Sequence, residues 1–131
     1  MIQERRNKMA WILEADRPIY TQLVDKIQRD IVSGIYQAGE KIPSVRELAT
    51  EAAVNPNTMQ KALVELERIG LLYTQRTSGR FVTEDEGMIN KVKEEMASKQ
   101  IQIFLENMKQ LGYDVNQTIQ VIEEMKGEEK K

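Results

Sequence analysis

The chain contains neither cysteine nor histidine. That excludes disulfides, thiolate nucleophiles, zinc sites of the usual kind and imidazole acid–base catalysis. The lack of cysteine fits a reducing cytoplasm. Only 5% of the residues are aromatic and only 3 are proline. No apolar run approaches the roughly 18 residues of a membrane span. Near the start, Arg5, Arg6 and Lys8 precede Trp11-Ile12-Leu13, but the apolar run from Ala10 to Leu13 is too short for a signal-peptide core. The expectation is a cytoplasmic protein with no membrane partner, no cofactor and no metal. With 131 residues, 40% of them apolar, the chain can build one modest core with an appendage.

The net charge of −2 is unevenly distributed. Residues 1–40 carry six positive and six negative charges, and residues 81–131 carry seven positive and eleven negative. Residues 41–80 carry six positive charges (Lys41, Arg46, Lys61, Arg68, Arg76, Arg80) against four negative. Phosphates respond to charge within about 10 Å at physiological salt, so a basic middle can serve a nucleic-acid partner despite an acidic whole.

Periodicity supplies the helices. Ile19, Leu23, Ile27 and Ile31 recur every four positions, predicting a helix over 18–33 with Pro18 in its first turn and Gly34 at its stop. Asp25, Lys26, Gln28, Arg29 and Asp30 fill the opposite face. Residues 35–43 hold Gly39 and Pro43 and read as a connection with a short strand at Lys41-Ile42. Trp11-Ile12-Leu13 reads as an edge strand or as a cover for the core.

Ser44-Val45-Arg46-Glu47 is a capping box: the Ser44 hydroxyl and the Glu47 carboxylate each satisfy a free N–H of the first turn. The helix it opens ends by Ala53. Asn55 is a good N-cap and Pro56 a good first helical residue for the next helix, which runs to Ile69 and stops at Gly70. Two helices joined by so short a turn, on a third supporting helix, make a helix-turn-helix. Leu71-Leu72-Tyr73-Thr74 and Arg80-Phe81-Val82-Thr83 are β-type runs around Thr77-Ser78-Gly79, and a hairpin at this place makes the unit a winged helix.

Thr83 to Gly87 reads as an acidic hinge. A long helix over 87–111 follows, then a last helix capped by Asp114 with Gln117 and closing at Gly127, before a frayed tail. The fold class is therefore mainly α with a small β wing: a winged helix-turn-helix domain at 1–84 and a two-helix arm at 85–131.

In this setting the polar residues that open the second helix of the motif have a chemical purpose. Asn57 and Gln60 suit adenine edges, and Lys61 suits a base or a phosphate. Thr58 lies beside them, and Asn55 and Pro56 set the helix start. Ser44 is a cap whose helix end also presents free N–H groups to a phosphate. Arg46 suits a phosphate, a base or a surface ion pair. Arg76, Thr77, Ser78, Gly79 and Arg80 form the wing tip, where the arginines either grip DNA or solubilise the hairpin.

The arm carries an apolar stripe of Ile89, Val92, Met96, Ile101, Phe104, Leu105, Met108 and Leu111, continued by Val115, Ile119, Ile122 and Met125. A short two-helix hairpin cannot bury both faces alone, so the stripe is expected to meet a second copy across a two-fold axis. The pairs Glu94-Glu95 and Glu123-Glu124 are adjacent and point apart on a helix, so they are solvated charge and not a catalytic dyad. A winged helix used only as a protein-interaction scaffold is the competing reading, and an enzyme the third.

These pieces together resemble the GntR family of bacterial transcription regulators, within it the small YtrA-type subfamily. The resemblance spans residues 16–126 and rests on DRPIYTQLVDKI, SGIYQAGEKIPSVRELA, VNPNTMQKALVELERIGLL and RTSGRFV, in this order and spacing. It implies a homodimer on an inverted-repeat operator in double-stranded DNA, usually a repressor, often of transporter genes. It also implies DNA contact by Arg46, by Asn55 to Lys61 and by the wing around Gly79. Met59-Gln60-Lys61 departs from the family's commoner valine, serine and arginine.

Overall fold

The computed structural model describes residues 11–129, which form five helices and two strands. Helix α1 spans Ile19–Val32, α2 Val45–Ala52 and α3 Pro56–Ile69; strands β1 (Leu72–Gln75) and β2 (Gly79–Val82) follow, then α4 (Glu86–Gln110) and α5 (Val115–Glu129). Arg5, Arg6, Lys8 and the final two lysines lie outside the described residues.

Two compact units divide between Lys93 and Glu94, within α4. In the first, α3 packs on α1, α2 and β1. Its core is the set the periodicity implies: Leu23, Ile27, Ile31, Leu48, Met59, Leu63, Leu66, Leu71 and Val82 are all nearly inaccessible. Each such side chain contributes about 1.5–3 kcal/mol relative to exposure.

Local chemistry sets the helix ends. Glu47 N–H donates to Ser44 Oγ and Ser44 N–H to Glu47 Oε1, both at 3.1 Å, completing the capping box. Asn57 N–H donates to Asn55 Oδ1 at 2.7 Å, capping α3. Between these helices Ala53 adopts the left-handed conformation at φ 56°, which lets the chain turn within a few residues.

The wing pairs antiparallel, with Leu72 opposite Val82, Tyr73 opposite Phe81, Thr74 opposite Arg80 and Gln75 opposite Gly79. Leu72 and Val82 face the core, and the Tyr73 and Phe81 rings stack on the other side at 5.7 Å. Each strand sits one residue from its expected place, because Leu71 plugs the core while accepting from Thr83 N–H. Lys41 bridges to Phe81, and Ile42 N–H donates to Arg80 O, so the expected short strand exists as a single extra rung.

Three expectations are corrected. Asp30 is buried, not solvated, because the chain after α1 folds back: Tyr36 is buried and its N–H donates to Asp30 O. Its carboxylate accepts from Lys26 Nζ at 2.8 Å. Trp11-Ile12-Leu13 is not a strand; Trp11 lies against Lys26 Nζ, 5.4 Å from the ring centre, and Ile12 is exposed. The buried Gln22 amide holds this segment by bonding Glu14 N–H and Glu14 O, both at 2.7 Å. The last helix continues through Gly127 to Glu129 instead of stopping at the glycine.

In the acidic hinge, Asp85 accepts from Met88 N–H and so caps α4. In the second unit, the reciprocal bonds of Asp114 and Gln117 open α5 as expected. Leu105, Met108 and Val121 are half-buried, while Ile101, Ile103, Phe104, Leu111, Val115, Ile119, Ile122 and Met125 are exposed.

Candidate nucleic-acid interface

One groove gathers parts from three regions of the winged-helix unit: Ser44 and Arg46 from the start of α2, Pro56 and Gln60 from the start of α3, and Ser78, Gly79 and Arg80 from the wing. Asn55, Asn57, Lys61, Arg76 and Thr77 are exposed but do not line it, and Thr58 is half-buried. Asn55 uses its side-chain oxygen as the cap of α3.

Within residues 11–84, cation pairing separates this face from the rest. Within residues 11–84, Arg17, Lys26, Arg29, Arg68 and Arg80 each have a carboxylate partner. Lys41, Arg46, Lys61 and Arg76 are exposed and have no ion-pair partner among the described residues. All four lie at or beside the groove or at the wing tip. Surface cations outside an ion pair are available to a polyanion, whereas a paired one must first give up its carboxylate.

Two residues are placed differently from expectation. Lys41 was not among the candidates, yet its side chain runs along the wing: a Cβ at Gly79 would lie 3.1 Å from Lys41 Cε. Gly79 has φ 110°, so both its backbone and its bareness suit the close approach. The signal in the sequence was a cation just ahead of Pro43-Ser44. Arg80 is the second: its side chain is only 17% exposed, and its Nε donates to Glu67 Oε1 at 2.5 Å.

Two carboxylates at this face are held below their usual range. For Glu47 the Ser44 N–H is the main cause, the Ser44 hydroxyl adds to it, and Lys41 contributes through space. For Glu67 burial pushes upward, but the hydrogen bonds from Thr74 and Arg80 together outweigh it. Both acids stay ionised and occupied by protein donors.

A short turn between two capped helices, an unpaired cation set and a wing form a surface that fits a duplex: a helix start for the major groove and a hairpin for the flank. Among the described residues, no helix is long and apolar enough to cross a membrane.

Comparison with known proteins agrees with this geometry. Residues 19–82 match the family described as bacterial regulatory proteins, gntR family. The HTH-type transcriptional regulator YhcF of Bacillus subtilis is 36% identical over 99 residues, covering 76% of this chain and 82% of that protein. The transcriptional repressor YtrA of the same organism is 41% identical over 85 residues, covering 60% of this chain and 65% of that one. A GntR family regulator from Listeria monocytogenes superposes with a TM-score of 0.80 at 38% identity, covering 86% of this chain and 98% of its own. The DNA-binding domain of AraR in complex with operator ORE1 superposes with a TM-score of 0.50 at 32% identity, covering 55% of this chain and 90% of that one. The chain belongs to the GntR family of bacterial regulatory proteins, in its YtrA-type branch, and is a DNA-binding transcription regulator rather than an enzyme.

Proposed function

We propose that this regulator acts in the cytoplasm as a homodimeric repressor that occupies an inverted-repeat operator and blocks polymerase by its bulk. The observation that carries the DNA face is that, within residues 11–84, the exposed cations without an ion-pair partner among the described residues are Lys41, Arg46, Lys61 and Arg76. In this reading Arg46, Lys41 and Arg76 hold phosphates, Asn57 and Gln60 read base edges, and Lys61 takes a base or the adjoining phosphate. Ser44, Asn55, Pro56 and Thr58 shape the two helix starts. Thr77, Ser78 and Gly79 bring the wing backbone close to the flank, with Arg80 beside them.

The second copy is called for by the arm. Ile101, Phe104, Leu111, Val115, Ile119, Ile122 and Met125 are each more than 40% exposed. An apolar set of this density on one short hairpin marks an interaction surface. Leu105 and Met108 contribute from half-buried positions, as do Ile89 and Met96. Val92 is already buried within its own chain and contributes to that core instead. Transporter genes are the proposed targets, following the family resemblance.

Two-fold symmetry sets the operator: half-sites about one helical turn apart, ~10 bp, or a multiple of it. Selection of bound duplexes from a random pool, followed by sequencing, tests the proposal. An inverted repeat with such spacing supports it; recovery of no enriched sequence refutes it.

A further inference from the structure

The pairing of Arg80 leaves an acid on a surface that should repel acids. Glu67 stands in the last turn of α3, two helical turns beyond Gln60 on the same face of that helix. Its Oε1 accepts from Arg80 Nε at 2.5 Å and from Thr74 Oγ1 at 2.7 Å. Thr74 and Arg80 are directly opposite on β1 and β2. One carboxylate oxygen thus ties both strands of the wing to the helix that enters the groove. The covalent link between helix and wing is short, only Gly70 and Leu71, and Gly70 is in the left-handed conformation.

Arg80 and Thr74 line the same groove as Gln60. The terminal nitrogens of Arg80 make no hydrogen bond or ion pair among the described residues. We propose that Glu67 is a positioning residue for DNA recognition: it fixes Arg80, and with it the wing, at a set angle to α3, so that the guanidinium meets the duplex already ordered. The inference rests on the DNA reading above and assigns Glu67 a part in it that neither its charge nor its place in the sequence implies.

The physical reason is the cost of ordering. An arginine free to rotate loses rotamer freedom when it docks on a phosphate or base, and a carboxylate bond at Nε removes that loss beforehand while leaving the terminal fork free. Per side chain the gain is about 2- to 10-fold in binding, and roughly 5- to 100-fold for the two copies in a dimer. Simple electrostatics predicts the opposite sign, because deleting an acid near phosphates should strengthen binding to any duplex.

The two accounts separate in one experiment on the full-length chain. The probes are a duplex selected by the wild-type protein from a random pool and a random duplex of equal length. Glu67→Ala should weaken binding to the selected duplex by about tenfold or more, with binding to the random duplex unchanged or stronger. Glu67→Gln should recover part of the loss, since its amide oxygen still accepts from Arg80 and Thr74. In the double variant Glu67→Ala/Arg80→Ala the loss should be no greater than in Arg80→Ala alone.

If Glu67→Ala binds the selected duplex as tightly as the wild type, or if the two losses add, the positioning role is overturned and the DNA reading stands. If the wild type selects no duplex, both fall. Should Glu67→Ala not fold, as read by its thermal melt, Glu67→Gln and Thr74→Val carry the same comparison. Each should then give a smaller loss that disappears in the Arg80→Ala background, and a loss that persists there overturns the proposal.

Discussion

Arg46→Ala isolates the proposed DNA face from the fold. Arg46 sits in the first turn of α2, exposed, and its side chain has no partner among the described residues. The capping box that opens the helix belongs to Ser44 and Glu47 and stays intact. Stability should therefore change by no more than about 0.5 kcal/mol. Binding should change far more. A hydrogen bond to a charged group is worth about 1.5–3 kcal/mol net, and a dimer loses two, so operator affinity should fall roughly 10²- to 10⁴-fold.

The salt dependence gives a second, independent readout. The four cations of this face (Lys41, Arg46, Lys61 and Arg76), without an ion-pair partner among the described residues, make eight in a dimer, which predicts a slope of log K against log salt of about −7. Removing Arg46 should bring it to about −5. Fluorescence anisotropy on the selected operator over a salt series measures both, with light scattering confirming an intact dimer. Unchanged affinity at equal dimer content would refute the assignment. A loss of affinity with an unchanged slope would refute phosphate neutralisation by Arg46.

Phe104→Glu should convert the proposed dimer to monomer, because it sets a charge in each copy of an apolar face; a variant still dimeric by light scattering would refute the arm as the dimer contact. Ala53→Gly should raise stability by about 0.5–1 kcal/mol, since glycine adopts the left-handed φ of 56° without the Cβ penalty and gives back only part of that in the unfolded chain; a lower melting temperature would refute this. Glu47 and Glu67 both have folded-state pKa values below the ordinary carboxylate value of 4.5. Their stabilisation is present above that value and is lost as pH falls through the depressed values. The melting temperature should therefore fall below about pH 4.5, and with no histidine or cysteine side chain to titrate it should be nearly flat from pH 6 to 8. A melting temperature steady down to pH 3 would contradict the cap and wing bonds.

Much of this was legible in the sequence because its causes are local. The Ser44–Glu47 box, the Asn55 cap with Pro56 behind it and the Asp114–Gln117 pair each act within a few residues, and all appear as expected. The four-residue spacing of Leu23, Ile27 and Ile31 is a local pattern too, and it marks the face that the core takes up. The misreadings have non-local causes. Asp30 looked solvated because its helix neighbours are polar, and only the return of Tyr36 over it puts it inside. Val92 belongs to the arm's stripe by spacing and to its own chain's core by packing.

By itself, then, the sequence determined the elements, their caps and the order helix, turn, helix, wing, arm. These follow from backbone hydrogen-bond demands and side-chain periodicity, which neighbours along the chain satisfy. What the tertiary structure alone decided is the state of each charge on the reading face. Arg80 looked like a free cation and is held by Glu67, thirteen positions earlier. Lys41 reads in the sequence as part of a short strand, and its side chain lies along Gly79. A charge's effect on a phosphate depends on which opposite charges reach it, and that is set by distances in space that only the folded chain defines.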